Sequence, residues 1–112
     1  MNTDLPQLLR VLPILVLAAL LEVGGDAAMR FGLQGRRVGF PLAILLLTTY
    51  GLVVNLPKWD FGRLMGVYIA LFFIVSQVIA VAVYHEKVNT SILAGGALIV
   101  IGGLTLTFWH PQ

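Results

Sequence analysis

Four apolar runs of roughly twenty residues, parted by short loops, fix most of what this 112-residue chain can become. The hydrocarbon core of a bilayer, about 30 Å thick, takes about 20 helical residues at 1.5 Å each. In lipid a run must satisfy its own backbone amides, which makes each of these runs a helix. The spans fall at about 8–30, 39–57, 62–84 and 90–109. The expectation is an all-α membrane protein, a four-transmembrane-helix bundle forming one domain over residues 1–112. The charged share of 11% and mean hydropathy of +0.96 agree, since soluble domains carry about 25% charged residues.

The segments between the runs are brief. Met1–Arg10 reads as a polar lead with Asp4, Pro6 and Arg10, and Pro13 is placed early enough to be tolerated in the first turn. Arg10 followed by Val11–Leu21 resembles the start of a signal peptide. The run continues into Glu22 without a small-x-small cleavage site, so it is read as a retained span. Glycines with Arg36 and Arg37 make Phe31–Val38 a loop, Lys58-Trp59-Asp60 a connection with Trp59 as an interfacial anchor, and His85–Asn89 a polar turn. With no cysteine, a disulfide or thiolate metal site is excluded. His85 and His110 lie far apart, so neither a metal nor another cofactor is expected. There is no basic run for nucleic acid, and no nucleophile–base–orienter set for an enzyme.

With four spans, Arg10, Lys58 and Arg63 share one side and Arg30, Arg36, Arg37 and Lys87 the other. Three against four is nearly balanced, so charge leaves both a single and a dual topology open.

Glu22 and Asp26 stand out in the first span, four residues apart on one helix face among mostly small residues. An acid within a bilayer costs about 2.5–3.5 kcal/mol on insertion scales and is seldom kept without a use. Asp26 has Arg30 at i+4 as a structural partner, whereas Glu22 has only Ala18 and another acid at those positions. Glu22 is therefore the first candidate for a proton and substrate site, with Asp26 beside it. Arg63 is placed either to snorkel to the head groups or to reach the acids or an anionic substrate. Tyr68, Phe72 and Phe73 follow as packing or crevice-lining aromatics, and Ser76 and Gln77 as interhelical hydrogen-bonding groups. Gly95, Gly96, Gly102 and Gly103 recur at a spacing of seven along a helix without charge. Such a groove serves either a contact inside the chain or a subunit interface, and the lack of polar groups points to the interface.

The stretch Glu22-Val-Gly-Gly25-Asp-Ala-Ala-Met29-Arg30-Phe31, with Glu86-Lys87-Val88 followed by Gly95 and Gly102, resembles the small multidrug resistance family. The C-terminal part is similar to the closing repeat of the wider drug/metabolite transporter superfamily. The resemblance implies an antiparallel homodimer in a bacterial inner membrane, where protons and a cation compete for the shared Glu22 carboxylates and Gly95 and Gly102 make the dimer contact. The third span differs from that family's Ala-Tyr-Ala-x-Trp: it reads Gly62-Arg-Leu-Met-Gly66-Val-Tyr68, with Tyr68 at the Trp position and Met65 at the other Tyr position.

The leading expectation is a proton-coupled multidrug-type antiporter exporting a small cation, with lipids, protons and a second copy or paralogous subunit as partners. An accessory subunit of a transporter or lipid flippase, or a carrier of a lipid or anionic metabolite drawing on Arg63, are the alternatives.

Overall fold

A computed structural model describes residues 5–109; Asp4 and His110 lie outside them. The four apolar runs become helices α1 (Leu5–Leu33), α2 (Gly39–Val54), α3 (Phe61–Ala82) and α4 (Thr90–Phe108). α1, α3 and α4 are long and apolar enough to cross a membrane, whereas α2, with 16 residues, is apolar but shorter. The helices form an integral membrane protein of the four-helix class, with much of the outward face, such as Leu45, Leu52, Leu98 and Ile101, exposed toward lipid.

Several boundaries shift for local reasons. The described part of the polar lead, from Leu5 to Arg10, is helical and continuous with the first span. Pro13 consequently lies inside α1 rather than in its first turn, and the bond from residue 13 to the Leu9 carbonyl is missing. α1 ends in a Schellman motif. Gly35 takes φ +104°, the Gly35 amide bonds the Gly32 carbonyl (3.1 Å), and the Arg36 amide bonds the Phe31 carbonyl (3.3 Å). α2 stops at Val54 rather than residue 57, since Pro57 disfavours helical backbone at Leu56. The Asn55 side chain donates to the Gly51 carbonyl at 2.8 Å. At the head of α4, Asn89 accepts from the Ile92 amide at 3.0 Å and from the Ser91 hydroxyl at 2.7 Å. Asn89→Ala is expected to lower stability by about 1 kcal/mol, read as the midpoint of denaturant unfolding in micelles. An unmoved midpoint would show that lipid, not the cap, fixes this helix end.

The helices lie in the order α2–α1–α3–α4, in a slab measuring 52 × 34 × 20 Å. α1 is the centre, packed on one flank by α2 and on the other by α3. Small residues set the α1–α2 distance. A Cβ added to Gly25 would lie 2.6 Å from Leu47, one added to Gly32 would lie 2.9 Å from Phe40, and one on Gly39 would strike the α1 backbone at Ala28 and Gly32. Such close approach is how helices associate where lipid removes the hydrophobic drive. The α1–α3 core holds Leu8, Val11, Leu15, Ala18, Ala19, Leu64 and Val67. Trp59, from the connection between α2 and α3, belongs to it as well and is only 8% exposed. Among the described residues α4 packs on α3 alone, and an apolar groove of about 290 Å³ lies between Leu8 and Leu12 of α1 and Leu104 and Phe108 of α4.

Candidate functional site

α1 carries Glu22 close to its middle, about 5 Å along the axis from the central residue. The side chain is half-buried where α1 faces α3. There the Tyr68 hydroxyl donates to Glu22 Oε1 at 2.6 Å. A short hydroxyl-to-carboxylate bond of this kind is among the stronger ones a protein makes and fixes the direction of the acid. Tyr68 is only 3% exposed, and its ring is held by Tyr50 of α2 at 5.7 Å between centroids and by Phe72 at 6.1 Å. Three helices thus converge on one carboxylate. Among the described residues no basic side chain pairs with it.

One turn further along the same face, Asp26 opens into a cleft of about 270 Å³ between α1 and α3. Ser76, Gln77, Tyr84 and Glu86 line it from the α3 side, and Arg30 lines it from α1. The helical pair expected between Asp26 and Arg30 does not form among the described residues. Arg30 instead places its guanidinium carbon 5.4 Å from the centroid of the Tyr84 ring, a cation–π contact with the end of α3. Ser76 does not bridge helices either: its hydroxyl donates to the Phe73 carbonyl of its own helix at 2.8 Å.

Arg63 is not brought to the acids. Five residues separate it from Tyr68, which puts the two about 140° apart around α3. Its guanidinium donates to the Leu106 carbonyl, in the last turn of α4. The partial negative charge of a helix C-terminus favours a cation there. Backbone carbonyls leave no mark in a sequence, so this use of Arg63 could not be read from it.

The four glycines of α4 divide into two pairs. Added Cβ atoms at Gly96 and Gly103 would meet Phe73 and Ala70, so these positions serve the contact with α3. At Gly95 and Gly102 an added Cβ would meet nothing within 4 Å, so this pair faces outward. Tyr50 is the site residue that sequence reasoning missed. A tyrosine after Thr48 and Thr49 in the middle of an apolar run was the available signal.

The chain is 31% identical over 103 residues to a UPF0060 membrane protein of Synechocystis sp., covering 90% of this chain and 95% of that one. It is 31% identical over 107 residues to one of Streptomyces coelicolor (93% and 95%), and 27% identical over 107 residues to one of Herpetosiphon aurantiacus (92% and 97%). No family model and no solved structure matches it.

Proposed function

From the premise that the chain belongs to the UPF0060 membrane protein family, we propose that it is a small membrane transporter: a dimeric, proton-coupled exporter of a small organic cation, working through Glu22. The observation that carries this reading is the mid-membrane Glu22 carboxyl, held by Tyr68 at 2.6 Å without a basic partner among the described residues. A desolvated carboxylate can neutralise its charge with a proton or with a cation, and each displaces the other. Exchange of the two across the membrane follows from that competition. Asp26 and Glu86 give the cleft above Glu22 two carboxylates against the single Arg30, which raises the local concentration of cations. Phe72, on the wall of that cleft, offers a ring face suited to an organic cation. The resemblance to the small multidrug resistance family supports the same reading, with Glu22 in the place of its working acid. A slab 20 Å thick is about two helices deep, so a second copy would supply the missing wall of the chamber.

The alternative of an anionic or lipid substrate drew on Arg63, which is occupied at the end of α4. The transport reading is tested by loading purified protein into proteoliposomes with a pH gradient and offering a panel of quaternary ammonium and guanidinium compounds. Proton-driven cation movement is expected. Tyr68→Phe, which removes one hydroxyl and keeps the ring, is expected to weaken cation affinity about tenfold, the scale of a lost hydrogen bond to a charged group. Absence of proton-driven movement for every cation would overturn the reading in favour of an accessory subunit.

A further inference from the structure

Arg30 follows Asp26 by one turn and Glu22 by two on the same face of α1, so three ionisable groups lie in a row, with Arg30 and Asp26 on the cleft and Glu22 one turn beyond Asp26. Two of the three are acids that attract cations. The third is itself a cation, and it stands at the mouth. Its guanidinium is not spent on either neighbouring acid but lies over the Tyr84 ring, in the range where a ring face attracts positive charge. The ring belongs to the far wall of the cleft and is 41% exposed. Tyr84 directly precedes His85, whose φ of +57° is the left-handed region that turns the chain after α3. The Glu86 amide then bonds back to the Ala80 carbonyl at 3.0 Å, tying the turn to the end of α3 and leaving Glu86 on the cleft. A ring face, an acid on each wall and open volume between them is the chemistry that would receive a planar or quaternary organic cation. In this structure the chain's own guanidinium lies there.

We propose that Tyr84, Asp26 and Glu86 form an outer subsite for organic cations at the mouth of the cleft, and that Arg30 is a tethered competitor which an entering cation displaces from the Tyr84 ring. The proposal rests on the transport reading above and adds to it a step before Glu22 is reached. A cation–π contact at an exposed position is weak, so displacement asks little of the entering ion. Arg30 also sets selectivity: small inorganic cations gain less from a ring face than organic ones and are the less able to take its place.

Binding of phenylguanidinium to the full chain in lipid nanodiscs tests this without requiring transport. Arg30→Ala is expected to bind the probe about fivefold more tightly than the unaltered protein, since the competitor is gone. Removing a positive charge alone tightens binding of any cation, so Arg37→Ala, in the loop that follows α1 and not on Tyr84, is the control and is expected to change affinity less than twofold. Tyr84→Leu is expected to weaken binding about fivefold, Tyr84→Phe to restore it by keeping the ring, and Arg30→Ala to lose its advantage in the Tyr84→Leu background. Equal effects of Arg30→Ala and Arg37→Ala, or unchanged affinity in Tyr84→Leu, would overturn the subsite. So would failure of both the unaltered protein and Arg30→Ala to bind the probe. Proton-driven flux in Glu22→Gln proteoliposomes, measured separately, decides the transport reading, so the two can fail independently.

Discussion

Glu22→Gln is expected to reduce proton-for-cation exchange to background while leaving the protein folded. Glutamine matches glutamate in shape, and its carbonyl oxygen can still accept from Tyr68, so the contact between α1 and α3 survives. What is lost is the capacity to bind a proton and release it when a cation arrives. Asp26 cannot take over. It lies one turn further toward the open cleft, without the tyrosine that directs Glu22 and without the enclosure of three helices. The direct measurement is proton release into lightly buffered micelles on addition of a cation. The unaltered protein is expected to release protons and Glu22→Gln to release none, whereas Asp26→Asn retains release at weaker cation affinity. Undiminished release from Glu22→Gln would remove Glu22 from the mechanism.

The second large effect is on folding. Gly39→Ala is expected to destabilise the protein by about 3 kcal/mol, the upper part of the range for overpacking. The added methyl would meet the Ala28 carbonyl oxygen and lie 2.6 Å from the Gly32 amide nitrogen, both backbone atoms of α1, which cannot swing away as a side chain can. Gly51 provides the comparison within the same helix. A Cβ there meets nothing within 4 Å, so Gly51→Ala gains helix propensity, worth up to about 1 kcal/mol, without a clash. The difference is measured as unfolded fraction against denaturing detergent. Equal midpoints for the two variants would mean that α2 sits further from α1 than described.

The number and approximate limits of the helices were legible because lipid imposes a single rule on every backbone amide. α4 was expected to end at residue 109 and ends at Phe108. The neighbours of each helix were not legible, because apart from the Glu22–Asp26–Arg30 face of α1 these helices are apolar nearly all round, and a uniform surface does not point anywhere. That is why Gly96 and Gly103 could not be told from Gly95 and Gly102, although one pair meets α3 and the other faces outward. Glu22 was readable from cost alone, as an acid where acids are expensive. Tyr68 was marked by its place in the third span, but its partner was not. Tyr50 was passed over because a tyrosine in an apolar run signals only amphipathic packing until another ring is found beside it. Arg30 was assigned to the nearest acid in its own helix, and nothing in the sequence could weigh that against a ring 54 positions later.

The placement of α1 between α2 and α3 also has a consequence for biosynthesis. The partner that holds Glu22 lies 46 residues downstream, so the acid leaves the ribosome well before the tyrosine does. At about 5–20 residues per second the interval is about 2–9 s, far longer than side-chain motion. Within it α2 is completed and meets α1 at Gly25, Gly32 and Gly39, while the flank that α3 will cover is still open. The nascent chain therefore holds an unpartnered carboxyl in the translocation machinery or at the lipid boundary, and the arrival of α3 both buries it and completes the site.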